Sequence, residues 1–352
     1  MSRYLVLAEG FSDDRHYGKT MWGVLRYRRR DVVAVLDSTR PPGTEVDAVP
    51  VVRRVEDALT FAPDTALVGV ATQGGRFPPE WLELLRTCIV NGLAVENGLH
   101  VFLNDDRELR ELAERHGVEL RDLRRPPADL STATGENMRV PGTVVLTVGS
   151  DCAIGKMTVS LELDLEARAR GLLSVFVPTG QTGMSIAGWG IAVDAVVSDF
   201  LAGAVERLVV EGSQRAGGAS DQILWVEGQG SLVHPVYSGV TLGLYHGSAP
   251  HVLVLCHEPG RAAIEGAGGG PHPIPPLAEL VALHERLALP ARPAAVAAVA
   301  LNTRRLDAAG ARAAIEAAEA ETGLPADDPV RFGAGRLVDA ALAVTGKLEK
   351  IK

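Results

Sequence analysis

The chain has 352 residues, too many for one ordinary hydrophobic core, so length favours two domains. Apolar residues make up 46% and charged residues 22%, as in ordinary globular proteins, and a formal net charge of -9 argues against a general nucleic-acid or membrane-surface role. An anionic substrate therefore needs a local basic pocket, because the overall field repels it.

Three cysteines, Cys88, Cys152 and Cys256, are odd in number and far apart, which speaks against a disulfide framework and for a reducing compartment. The first residues, Met-Ser-Arg-Tyr-Leu-Val-Leu-Ala-Glu-Gly, carry no long apolar run of the signal-peptide kind. No stretch approaches the roughly 20 apolar residues that span a bilayer. The expected location is the cytoplasm, with no membrane and no nucleic acid as partner.

Short β-branched runs alternate with helical stretches throughout, which predicts an α/β fold with mainly parallel sheets. Tyr4–Ala8 and Val32–Leu36 read as buried strands, with a helix over Thr20–Arg28 between them. Gly18-Lys19-Thr20 opens that helix, and Asp37 ends the second strand where a Rossmann fold holds a ribose. The G-x-G-x-x-G fingerprint is missing, so NAD is not expected. Ala66–Val70 is a third strand, followed by the loop Val70–Pro78, whose Arg76 is placed to face an acidic ligand. Pro79–Val90 reads as a helix with proline near its start, and Val101–Leu103 as a further strand. This Rossmann-like half is expected to help shape the substrate site and to assemble a homo-oligomer.

Periodicity stops at Arg124–Gly142, rich in Pro, Gly, Ser and Thr, which reads as a linker. A boundary near residue 135 gives domains 1–135 and 136–352. Thr143–Val148 then begins a new strand. Directly after it come Gly149, Ser150, Asp151, Cys152, Ala153, Ile154, Gly155, Lys156, Met157 and Thr158, a strand–loop–helix with Gly-Lys-x-Thr at its close. Glycines allow turns that aim successive backbone N–H groups inward, the helix offers its positive end, and Lys156 adds a cation. That combination binds a diphosphate. The helix should run to Gly171, and Ala308–Ala320 is good helix sequence.

The loop length resembles dethiobiotin synthetase and its P-loop relatives. Val175–Gly183 sits where that group has a strand ending in Lys-Pro…Thr-Gly, Ile223–Pro235 resembles its strand ending in Glu-Gly, and Val296–Thr303 resembles the strand whose terminal Asn, here Asn302, helps hold adenine. Two positions depart from the pattern. The Mg²⁺-binding hydroxyl after the lysine is Met157 here, and the catalytic lysine of the Lys-Pro segment is Val177. Both losses fall on γ-phosphate handling, which points to a ligand with adenine and diphosphate but no transferred phosphoryl group, as in coenzyme A.

Several segments together, among them GSDCAIGKMT, PTGQTGMSIAGWG, WVEGQGSLVHPVYSG and LCHEPGR, resemble a two-domain family with a Rossmann-like first half and a P-loop second half. That family includes D-glutamate N-acetyltransferase. The resemblance implies acetyl-CoA as cofactor and an acidic amino acid as small-molecule substrate.

Candidate residues follow. Glu227 ends a strand before Gly228-Gln229-Gly230 and suits a general base toward an amine or, if Mg²⁺ is used, a ligand together with Asp194 and Asp199. Thr179, Gln181 and Thr182 lie at a strand end, where α/β sheets bind ligands. His234 and His246, with Tyr237, flank a glycine-rich stretch and suit acid–base work near neutral pH. Arg261 and Arg331 carry the guanidinium fork that matches a substrate carboxylate, and a structural salt bridge suits each of them equally. Cys152, inside the loop, reads either as a small packing residue or as a thiol activated by the helix N-terminus. The competing functions are acyl transfer from acetyl-CoA, a Mg·ATP-dependent ligase or kinase, and a non-catalytic nucleotide sensor.

Overall fold

The computed structural model describes residues 2–72, 75–78, 81–268 and 270–346. Packing groups the chain into two compact units, Met1–Pro127 with Gln181–Ala195, and Ala128–Gly180 with Val196–Lys352. The first border falls inside the aperiodic Arg124–Gly142 stretch. The return of Gln181–Ala195 to the N-terminal unit is marked by no shift in composition.

The described residues of the N-terminal unit form seven strands: β1 (Tyr4–Leu7), β2 (Val32–Leu36), β3 (Glu45–Val46), β4 (Val49–Val52), β5 (Thr65–Val68), β6 (Ala94–Asn97) and β7 (Leu120–Asp122). Their order is β3-β4-β2-β1-β5-β6-β7, parallel except for the β3–β4 pair. β1 is buried at every position, as a strand covered on both faces must be, so it reads as an unbroken apolar run. Helices α1 (Lys19–Tyr27), α2 (Val55–Ala58), α3 (Trp81–Val90), α4 (Arg107–His116) and the later α6 (Gln181–Ala187) complete this unit. From β1 the chain moves to β2 on one side and re-enters at β5 on the other. The topological switch point is therefore at the carboxyl ends of β1 and β5.

Val101–Leu103 is not a strand. The Asn97 amide donates to the Val101 carbonyl, and Asp122 accepts from the Leu103 and Asn104 N–H groups, folding the segment into a turn that enters a short 3-10 helix at Leu103–Asp105. The strand is β6, seven residues earlier at its start, where the polar pair Glu96-Asn97 masks a buried run. The expected helix start at Pro79 lies outside the described residues; α3 is described from Trp81.

The C-terminal unit contains β8 (Thr143–Gly149), α5 (Lys156–Ala169), β9 (Ser174–Val177), α7 (Ser198–Arg215), β10 (Ile223–Val226), α8 (Ser238–Ser248), β11 (Val252–His257), α9 (Leu277–Arg286), β12 (Ala295–Leu301), α10 (Ala308–Thr322), β13 (Ala326–Asp327) and α11 (Gly335–Val344). The order is β13-β12-β11-β8-β10-β9, all parallel. β8 is central and buried along all seven residues. β12 is rich in alanine, which lets Leu337, Val338 and Leu342 of α11 pack closely into the same core.

The second part of the aperiodic stretch is tied down rather than loose. Glu206 accepts from the N–H groups of Thr134 at 2.7 Å and Gly135 at 2.8 Å, and Arg292 donates to the carbonyls of Asn137 and Met138. No helix among the described residues is long and apolar enough to cross a membrane, and Cys88, Cys152 and Cys256 form no disulfide.

Candidate functional site

β8 delivers Ser150–Gly155 to the carboxyl edge of the second sheet, and α5 starts at once with Lys156. Ala153 has φ 54° and Gly155 φ 110°, so the backbone turns through left-handed conformations that curl its N–H groups inward. The loop is braced from β11, where the Ser150 N–H donates to the Cys256 carbonyl and the Ser150 hydroxyl meets His257 Nδ1 at 2.9 Å. Lys156 is only 7% exposed, and its Nζ donates to the Asp151 carbonyl at 2.7 Å. Burial pushes its ammonium pKa down, against the opposing pull of Cys152, Cys256, Asp151 and Glu227. An ammonium has three donors, so this buried cation keeps capacity for an anion.

Asp151 is fully buried and was not anticipated as a structural element of the loop. One carboxylate oxygen accepts from the Cys152 N–H at 2.6 Å; the other accepts from Arg261 at 2.9 Å and from the Glu265 N–H at 3.0 Å. Arg261 also donates to the Cys152 carbonyl and pairs with Glu258 and Glu265. Burial alone would lower its pKa, but Asp151 and Glu258 outweigh that and raise it. Of the two roles open to Arg261, a substrate carboxylate or a structural salt bridge, the second is the one its partners define: it clamps the P-loop. Its acids at positions 258 and 265 in and after LCHEPGR were the available signal. Arg331 donates to the carbonyls of Thr303 and Leu306, holding the turn after β12.

Glu227 is 5% exposed at the end of β10. Its Oε2 accepts from the Thr179 N–H at 2.9 Å and the Gly180 N–H at 3.2 Å, and the Thr179 hydroxyl donates to the Glu227 carbonyl. The carboxylate therefore joins the β9 and β10 loops beside the P-loop. Gly228 is required there, because a Cβ at that position would overlap the Thr147 carbonyl of β8, whose hydroxyl also accepts the Gly228 N–H. Asn302, at the end of β12, donates to the Ile154 carbonyl at 3.2 Å, so it does border the phosphate loop. A cavity of about 300 Å³ adjoins it, walled by His257, Arg261, Pro276, Leu301 and Glu321. Met157 and Thr158, in the first turn of α5, are half-buried.

The other candidates separate. His234 is buried; Nδ1 accepts from the Val236 N–H at 3.1 Å, Nε2 lies 3.3 Å from the Glu265 carbonyl, and the ring rests on Tyr237. Both ring nitrogens have backbone partners, which leaves this imidazole no vacant nitrogen for acid–base work. His246 lies in the last turn of α8, about 12 Å along the helix from Ser238. α8 runs from the β10 loop back to β11, so His246 is exposed at the opposite edge of the sheet from the P-loop. Asp194 pairs with Arg124, and Asp199 is an exposed residue in the first turn of α7. Among the described residues, no metal-ligand group contains Asp194, Asp199 or Glu227. The group of described His, Cys, Asp and Glu residues that comes within 4.8 Å is instead Asp151, Cys152 and His234. Gln181 accepts from Arg124 at 2.8 Å and Thr182 meets the Thr20 hydroxyl at 2.9 Å, both within the N-terminal unit. Asp37 accepts from the N–H groups of Gly10, Ser12 and Thr39 and from the hydroxyls of Ser12 and Thr39, which leaves nothing of the ribose-binding role.

Fold and loop define a class: an α/β protein with a Rossmann-like N-terminal domain and a P-loop C-terminal domain. The chain belongs to the DUF1611 family. Residues 131–338 match the model described as "Domain of unknown function (DUF1611_C) P-loop domain" and residues 40–126 match "Domain of unknown function (DUF1611_N) Rossmann-like domain". It is 40% identical over 293 residues to a protein of Tritonibacter scottomollicae named D-glutamate N-acetyltransferase, covering 82% of this chain and 84% of that one. A Pseudoalteromonas protein of the same name is 34% identical over 285 residues, 80% of this chain and 82% of the relative. The crystal structure of a DUF1611 family protein from Anabaena variabilis superposes with a TM-score of 0.89 at 41% identity, covering 97% of this chain and all of that one.

Proposed function

We propose that the protein is an acetyl-CoA-dependent N-acetyltransferase acting on D-glutamate or a similar acidic amino acid. The observation that carries this reading is the combination of a glycine-turned loop and buried Lys156 suited to a diphosphate with two apolar side chains at the positions that handle a γ-phosphate. Met157 stands where a P-loop hydroxyl holds Mg²⁺, and Val177 is fully buried in β9 where the resembling ligases carry a lysine. The names of the two relatives support the same activity.

Lys156, Thr158 and the Ser150–Gly155 backbone would hold the cofactor's diphosphate, with Lys156 exchanging the Asp151 carbonyl for a phosphate oxygen. Asn302 and the cavity walled by Pro276 and Leu301 suit the adenine, an apolar face with polar edges. The bound thioester supplies an acyl group already activated for attack. Glu227, fixed by two N–H groups through Oε2, is the carboxylate positioned to take a proton from the acceptor amine. The glycine-flanked N–H groups of the β9 and β10 loops are the donors available to a developing oxyanion.

Thiol release from acetyl-CoA, followed with and without D-glutamate, tests this directly. D-Glutamate-dependent release that Glu227→Gln lowers about 100-fold supports the reading. Mg·ATP turnover with no thiol release would replace it with an ATP-dependent reaction.

A further inference from the structure

A net charge of -9 repels anions, so a cofactor that carries further phosphate beyond its diphosphate needs local cations besides Lys156. The C-terminal unit presents two of them directly after Asn302. β12 ends at Leu301, in the wall of the cavity beside the P-loop, and the chain then makes a β-turn closed by the Leu306 N–H donating to the Thr303 carbonyl at 2.9 Å. Arg304 and Arg305 are its two central residues.

The turn is held from both sides. The Thr303 N–H donates to Asp328 at 2.9 Å, and Arg331 donates to the carbonyls of Thr303 at 3.0 Å and Leu306 at 2.8 Å. The Arg304 N–H donates to the Asn302 side-chain oxygen at 3.4 Å, and the Asn302 amide donates to the Ile154 carbonyl of the P-loop. Backbone that is fixed in this way places a binding side chain at a lower entropic cost.

Glu258 sets the direction of both arginines. It is 2% exposed, between His257 and Pro259 of the cavity wall, and its Oε2 is taken by Arg261. Its Oε1 lies 3.2 Å from Arg305 Nε and 3.6 Å from Arg304 Nε. Contact through Nε leaves each guanidinium its two terminal nitrogens, with four N–H donors, for another acceptor. The side chains of Arg304 and Arg305 are 51% and 69% exposed. Arg261, Arg304 and Arg305 balance Asp151, Glu258 and Glu265 in charge, but Asp151 and Glu258 are buried while the two turn arginines face water.

We infer that Arg304 and Arg305 bind a phosphomonoester on the ribose of the nucleotide, the 3′-phosphate of coenzyme A, and thereby select coenzyme A over ATP. The inference rests on the cofactor proposed above: a nucleotide with its diphosphate on the P-loop and its base in the cavity has its ribose beside Asn302, the residue tied to both the loop and the arginine turn. A phosphomonoester carries a charge of about -2 and three acceptor oxygens, which suit a pair of guanidinium forks.

Calorimetric titration of the full-length protein with CoA and with dephospho-CoA, the same molecule lacking the 3′-phosphate, tests this on wild type and on Arg304→Gln/Arg305→Gln. Wild type should bind CoA about 30-fold more tightly than dephospho-CoA, a preference that shrinks as salt is raised. The double variant should bind the two alike, with its affinity for dephospho-CoA within about 2-fold of wild type. Equal wild-type affinities, a preference that survives in the variant, or a matching loss of both ligands in a variant of unchanged melting temperature would overturn the inference and leave the acetyltransferase standing. A preference that the double substitution removes, in a protein that shows no D-glutamate-dependent thiol release, keeps the site and removes the activity. Binding of ATP without binding of either CoA species removes both.

Discussion

Two buried charges at strand ends, one in each unit, look alike in sequence and differ in what surrounds them. Asp37 of the N-terminal unit ends β2 and receives five hydrogen bonds from Gly10, Ser12 and Thr39. Burial opposes its ionisation, but those bonds outweigh it and hold the carboxyl below its usual range. Lys156 of the C-terminal unit follows β8 and has one carbonyl partner, with burial winning and its pKa depressed. A buried charge whose bonding capacity is filled by its own chain is structural. One left with spare donors is held ready for something else, and the protein carries the desolvation cost until that arrives.

Substitutions that separate these two roles sharpen the comparison. Lys156→Ala should have the largest effect on activity, a loss of about 100-fold or more in kcat/KM, with a melting temperature equal to or above wild type because a poorly solvated cation is gone. Asp37→Asn should do the reverse. It replaces an acceptor by a group that is half donor, and a chemical denaturation midpoint should report a loss of about 3 kcal/mol while acetyl-CoA binding is retained. A destabilised Lys156→Ala, or an Asp37→Asn that keeps full stability, would break the distinction.

Acid should act through a different buried group. His284 of α9 is fully buried, bonded through Nδ1 to the Tyr245 hydroxyl at 2.5 Å, and burial lowers its pKa from 6.5 to about 3. The unfolded chain takes up this proton below pH 6.5 while the folded chain does not. Stability from this group is therefore complete above pH 6.5 and falls as pH drops toward 3, by about 2–3 kcal/mol at about pH 4.5. The pair Tyr245→Phe with His284→Leu should flatten that slope in urea titrations across the window. A loss of about 3 kcal/mol is expected from Gly228→Ala, whose methyl would overlap the Thr147 carbonyl of β8; thermal melts would read it.

What the sequence made legible follows from how local each signal is. The P-loop, β8, and the strands ending at Val177 and Val226 are continuous in the chain and announce themselves by apolar runs with glycine a few residues on, while β12 shows itself as an alanine–valine run ending at Asn302. The helix of the P-loop runs to Ala169, close to the stop expected at Gly171. Asp151 and Arg261 are 110 positions apart, and neither residue type alone says that one braces the other. Arg124 was read as part of a loose linker because Pro, Gly and Ser surround it, yet it is among the most buried charged residues. Polar residues whose partners lie far along the chain give no periodicity, and β6 was hidden in the same way by Glu96 and Asn97.

The most direct test of the central claim, a diphosphate loop for a coenzyme A thioester, is a thermal-shift comparison of acetyl-CoA, CoA and ATP, each with and without Mg²⁺, on wild type and Lys156→Ala. A bound ligand raises the melting temperature by mass action. Stabilisation by acetyl-CoA and CoA that needs no Mg²⁺ and vanishes in Lys156→Ala is the predicted result. Stabilisation by Mg·ATP alone would contradict the account.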